Sequence, residues 1–174
     1  MSTISQVSLQ GLSSGNEMSF VHLHTHTHYS LLEASCRPKE LVKLAAEWEM
    51  PAIAFTDNGN MFGAVESYFA AKDAGVKPIL GLDVYLAPKG RFVKGEDPEA
   101  ARLPNTRLVL LAKNIKGYQN LSQISTKGFQ EGFYYRARVD YEVLKAYSEG
   151  VICLTSGPRG VVPFAFQEKG KGVA

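Results

Sequence analysis

An α/β fold around a mainly parallel sheet is what this 174-residue sequence predicts, on three observations. From residue 20 onward short apolar runs of strand length alternate with stretches of helical period. Each helical stretch carries one apolar stripe, and polar or glycine-rich clusters separate the pieces, as turns and loops require.

The elements follow in order. "FVHLHTH" (20–26) reads as a first strand. "RPKELVKLAAEWE" (37–49) is a helix, with Pro38 near its first turn and Leu41, Leu44, Ala45 and Trp48 on one face. "PAIAFTD" (51–57) is a second strand running into the polar loop "DNGNMFG". "MFGAVESYFAAKDAG" (61–75) is the next helix, with Gly75 as its C-terminal stop. "KPILGLDVYLA" (77–87) and "RLVLLAKN" (107–114) are strands separated by a polar excursion over 89–106. "GYQNLSQISTKGF" (117–129) and "DYEVLKAYSEG" (140–150) are helices, and "GVICLTSG" (150–157) is the last clear strand. Residues 1–17 read as a loose tail, 18–165 as one folded unit and 166–174 as a C-terminal tail without an element signal.

Composition narrows the class. A hydrophobic share of 45% supports a proper core. A formal charge of +2, from 19 basic and 17 acidic residues, does not by itself advertise a nucleic-acid surface. No apolar run approaches the roughly 18 residues of a membrane span, and the N-terminus lacks a secretory pattern. Cys36 and Cys153 are the two cysteines; Cys153, inside "VICL", is expected to be a buried free thiol, and a reducing cytoplasm fits best.

All four histidines, His22, His24, His26 and His28, stand at alternate positions of one segment. On a strand they share a face, with Val21, Leu23, Thr25 and Thr27 on the other. Such a row is either a solvated polar face or a set of imidazoles able to reach one metal ion. In β/α barrels the active site collects at the carboxyl ends of the strands. His24 and His26 fall there, with Asp57, Asn58, Asp83 and Ser156 at corresponding points of later strands. Asp57 also reads as a cap or turn residue before Gly59. For Asp83, inside an apolar strand, an unpaired carboxylate is costly, so a partner or an ion is expected.

"HLHTHTHYSLLEASC", "MPAIAFTDNGNMFGAVE", "AGVKPILGLDVYLAP", "RLVLLAKNIKGYQNL" and "EGFYYRARVD" together resemble the polymerase and histidinol phosphatase (PHP) domain found in the bacterial DNA polymerase III alpha subunit, over about residues 19–163. The resemblance implies a distorted, seven-stranded β/α barrel, here incomplete, like a TIM barrel. Active members of the family hold up to three metal ions and cleave phosphoesters or proofread as exonucleases; others have lost the metals and support the polymerase. By the same resemblance His24, His26, Glu33 and Asp83 correspond to metal ligands, whereas Asn58, Arg107 and Gly157 stand at lost ligand positions. The family's last ligands, an Asp and a His, lie past residue 174. Arg107 has no lone pair to give a metal and repels one. A one-ion site with zinc or manganese, or none, is therefore expected, with Arg107 pairing with Asp83 or Glu33 in place of the cluster.

The implied function is a degenerate structural and interaction module of DNA replication, without polymerase activity of its own in a chain this short. Its expected partners are the remainder of a DNA polymerase III alpha subunit or other replisome subunits, with no membrane. The alternative is a metal-dependent phosphoesterase or proofreading exonuclease. A second alternative is a DNA-contacting module using Arg136 and Arg138 beside Tyr134 and Tyr135, together with Lys89, Arg91, Lys94, Arg102 and Arg107; Glu96, Asp97 and Glu99 dilute that charge. With about five strands, the last should expose an open edge that invites self-association.

Overall fold

The computed structural model describes residues 20–98 and 103–171, so the expected tail over 1–17, and Glu99 and Arg102 of the long loop, lie outside the described residues. Its strands are β1 (Ala52–Phe55), β2 (Lys77–Leu86), β3 (Thr106–Ala112), β4 (Arg138–Val139) and β5 (Val151–Leu154). Its helices are α1 (Pro38–Glu47), α2 (Ala64–Asp73), α3 (Ile115–Gln130), α4 (Tyr141–Ala146) and α5 (Val161–Lys171).

The five strands form one sheet in the order β1-β2-β3-β5, with β4 beside the end of β2. β1 and β4 run parallel to β2, while β3 is antiparallel to β2 and β5 is antiparallel to β3. The sheet is thus mixed rather than mainly parallel, and no ladder among the described residues joins β5 to β1 to close a barrel. In the antiparallel pair Gly81 lies opposite Leu111 and Leu86 opposite Thr106, so β3 runs back along the whole second half of β2.

Alternation along β2 divides core from site. Leu82, Val84 and Leu86 face one side, where they meet Leu108, Leu110, Leu121 and Ile124. Asp83 and Tyr85 face the other. Leu121 and Ile124 are fully buried under the sheet from α3, each worth about 1.5–3 kcal/mol of burial. α3 starts cleanly because the Asn114 side chain accepts from the Gly117 amide at 2.9 Å, and Asp140 caps α4 from Val143 at 3.1 Å.

Several expectations are corrected. Residues 20–26 do not form a strand: His22 makes one bridge to Ile53, and the Ala54 and Thr56 amides donate to the His22 and Thr25 carbonyls at 2.9 Å each. Side chains then replace the ladder, since the Thr25 amide donates to the Thr56 hydroxyl at 3.0 Å and the Thr27 amide to the Asp57 carboxylate at 2.6 Å. On α1 the buried stripe is Pro38, Val42 and Ala45, and Leu44 and Trp48 are exposed. Val42 and Ala45 pack with Ala71 of α2 and with Ile53 and Phe55 of β1, and Leu41 is partly buried against them. α5 runs through the stretch without an element signal, with Pro163 in its first turn, where no intrahelical amide is lost. Cys153 of β5 is exposed: it lines an open cleft with Leu110, Ile124, Leu144 and Tyr147.

Candidate functional site

The sheet register assembles the site. Tyr85 of β2 lies opposite Arg107 of β3, Asp83 is two residues from Tyr85 on the same face, and a parallel bridge sets Asn58 beside Asp83. The segment before α1 passes over this face and delivers His24, His26 and Glu33. Its course is fixed by Asp57, which accepts from the Thr27 amide (2.6 Å), the Thr27 hydroxyl (2.8 Å) and the Ser30 hydroxyl (2.6 Å). Asp57 is buried with its oxygens so occupied, which makes it the clamp of the loop rather than a ligand.

Of the four histidines, two converge. His24 Nε2 lies 2.9 Å and His26 Nε2 3.3 Å from the same Asp83 oxygen, and the two imidazole nitrogens are 3.1 Å apart. His22 instead packs edge-on against Phe20, and His28 leans on Tyr29. The three ligand atoms of His24, His26 and Asp83 lie within 4.8 Å of one another, a donor set that fits one divalent ion. Burial alone would raise the Asp83 carboxyl, but hydrogen bonds from His24 and His26 and the charge of Arg107 outweigh it and hold the group below its usual range.

Glu33 stands apart from this set. Its two oxygens accept from Asn58 Nδ2 at 2.7 Å, Tyr85 Oη at 3.1 Å and Arg136 Nη1 at 2.6 Å. Arg107 fills the space between the two carboxylates: its Nε is 3.4 Å from Asp83 and its Nη2 3.6 Å from Glu33. The same Nη2 donates to the Asn58 side-chain oxygen and, at 3.2 Å, to the Tyr85 hydroxyl. Arg107 and Arg136 both stack on the Tyr85 ring, at 4.7 and 5.3 Å. Burial would raise the Glu33 carboxyl too, yet the Tyr85 hydrogen bond and the two guanidinium charges hold it below its usual range. Burial raises the Tyr85 phenol, which stays protonated and able to donate.

The packing is not fully satisfied. Asp83 Oδ1 and Arg107 Nε are buried without a well-aligned hydrogen bond, although they face each other. Both border a cleft of about 240 Å³ that His24, Ser156, Gly157 and Arg159 also line. Gly157 therefore reaches the site, but offers no side chain there.

Basic residues proposed for DNA contact divide differently. Arg138 is 5% exposed and donates to the carbonyls of Gly132 (3.0 Å) and Val93 (2.8 Å), so its guanidinium is spent inside the protein. Arg91 is likewise buried, bound to Glu131, Asp140 and Glu142. Lys89 pairs with Asp97 at 3.2 Å. Arg136 is half exposed but already holds Glu33, and Lys94 is exposed. Tyr85 is the site residue that sequence reasoning missed; its place two residues after Asp83 on a strand was the available signal.

No helix among the described residues is long and apolar enough to cross a membrane. The PHP domain matches residues 22–173. DNA polymerase III subunit alpha of Borreliella burgdorferi is 42% identical over 144 residues, covering 83% of this chain and 12% of the relative. That of Chlamydia trachomatis is 43% identical over 151 residues (87% and 12%), and that of Aquifex aeolicus 43% over 145 residues (82% and 12%). The chain thus spans 12% of the length of these curated relatives. With the match running through every element that builds the site, this chain belongs to the PHP domain family.

Proposed function

We propose that the chain, as one PHP unit over 18–165, serves as a supporting module of a DNA polymerase III alpha-type protein in the cytoplasm, with its multi-metal chemistry replaced by an ion-pair network. One observation carries the reading: Arg107 lies 3.4 Å from Asp83 and 3.6 Å from Glu33, so a fixed cation sits between two carboxylates that a metal cluster would need. The neighbouring Asn58 binds Glu33 and Arg107 as an amide, not as a ligand. The mixed sheet is read as one side of the distorted barrel of the family, and β5 as the edge that a continuing polymerase chain, another replisome subunit or a second copy covers.

The convergence of His24, His26 and Asp83 favours a second reading, a residual metal-dependent phosphoesterase. These residues would hold one zinc or manganese ion, which when bound polarises a phosphoryl oxygen or lowers the pKa of its water. In this chain they do the rest: His24 and His26 orient on Asp83, and Arg107 faces the cleft as a ready anion partner. The two readings separate in an assay of p-nitrophenyl phosphate and single-stranded DNA hydrolysis with added manganese. The support reading expects rates equal to those of the His24→Ala, His26→Ala protein; manganese-dependent turnover lost in that variant would establish the phosphoesterase.

A further inference from the structure

On the far side of the sheet from the site, α2 and α3 are separated by an open groove of about 400 Å³. Its floor is Leu80 of β2 and Ala112 of β3, and its walls carry Val65, Phe69 and Ile115, which are 62%, 55% and 71% exposed. Two helices on one face of a sheet ordinarily close such a gap with their own side chains; here apolar rims face each other across solvent. From this geometry we propose that the groove is a docking site for an acidic amphipathic helix of a partner protein, independent of the chemistry proposed above.

Charge selects the occupant. No carboxylate lines the groove, and Lys113 is its charged residue. Both acidic residues of α2 turn elsewhere: Glu66 accepts from the Tyr29 hydroxyl at 2.9 Å, and Asp73 lines the opposite groove toward α1. Lys72, in contrast, lies over the ring of Tyr68, which lines the groove. The N-terminus of α3 opens at Asn114 and Ile115, and its first turn holds no acidic residue to offset the positive end of a 16-residue helix. The surroundings are therefore cationic around an apolar floor, the complement of a helix with leucine or aromatic residues at i, i+3, i+4 and i+7 flanked by glutamates.

The test uses two synthetic helical peptides of about 15 residues with the same leucine stripe, one filled with glutamate and one with lysine, titrated by fluorescence anisotropy at moderate salt. The glutamate peptide should bind and the lysine peptide should not. Val65→Asp and Ile115→Asp, both at exposed positions that the fold does not need, should each weaken binding roughly tenfold or more. Lys113→Glu should weaken it less, and Leu44→Asp on α1 should leave it unchanged. Equal binding of both peptides, or unchanged affinity in Val65→Asp, would overturn the proposal. So would a dimer of the free protein that dissociates on Ile115→Asp, because the occupant would then be a second copy.

Discussion

Two buried arginines sit among carboxylates in this molecule, and they do opposite work. Arg91 donates to Glu131 at 2.7 Å, to Asp140 at 2.9 Å and to Glu142 at 3.0 Å, with its own amide also on Asp140. It clamps the loop after β2 to the ends of α3 and α4, and every partner is well aligned. Arg107 meets Asp83 and Glu33 only at 3.4 and 3.6 Å and leaves its Nε and Asp83 Oδ1 without a good hydrogen bond beside an open cleft. The first network looks built for holding. In the second, a cation of the protein's own lies loosely between two carboxylates of the site proposed above. Alignment rather than the count of opposite charges separates the tight network from the loose one.

The largest expected effect breaks the brace. Arg91→Ala leaves Asp140 and Glu131 without their cation and should cost about 2–3 kcal/mol in urea unfolding, somewhat below a fully enclosed pair because these groups are partly solvated. Arg107→Met should cost no more than about 1 kcal/mol, since His24 and His26 still hold Asp83 while Arg136 and Tyr85 still hold Glu33. Equal costs would erase the distinction between the two sites.

Adding ligands comes next. The double change Asn58→His, Arg107→His removes the fixed cation and adds imidazoles beside Asp83. Zinc at roughly thirtyfold its Kd should then stabilise the variant by about 2 kcal/mol in thermal unfolding. The parent protein should shift less, with three donors and an opposing charge.

A pH titration sharpens the brace further. Burial would raise the Asp140 carboxyl, but hydrogen bonds from the Arg91 and Val143 amides and from the Arg91 guanidinium hold it below its ordinary 3.8. Because the folded value is the lower one, the native state binds fewer protons. Its stabilisation is fully present above the unfolded value and is lost as pH falls through the folded one. Asp140→Asn should flatten the loss of stability below about pH 4, and an unchanged acid slope would contradict this. The smallest effect belongs to Arg136→Ala, about 1 kcal/mol or less, because the half-exposed side chain shares Glu33 with Tyr85 and Asn58. If it also abolishes salt-dependent binding of single-stranded DNA, Arg136 has a contact role beyond the network.

Legibility in the sequence followed the strength of the local signal. β2, β3 and β5 were readable because apolar runs bounded by turn residues have few other uses. The direction of β3 was not, since strand polarity is settled by what the loop permits rather than by the strand's own residues. β4, two residues long, has no pattern to read. At the site, His24, His26, Asp83 and Arg107 could be named through the family motifs, but the division of the histidine row depended on Asp57 seizing Thr27 and ending the alternation early. The role of Tyr85 as the surface on which two arginines stack emerges only from the register that sets it against Arg107. Arg138 shows the reverse error: a basic residue beside aromatic ones suggested nucleic acid, yet backbone carbonyls hold it inside.

The most direct test of the central claim is elemental analysis of protein purified without chelator and then equilibrated with zinc and manganese. The account predicts no more than one equivalent of metal, lost in the His24→Ala, His26→Ala protein, and no phosphoester turnover at that occupancy. Two or more equivalents with manganese-dependent hydrolysis would contradict it, because Arg107 could not then occupy the place between Asp83 and Glu33.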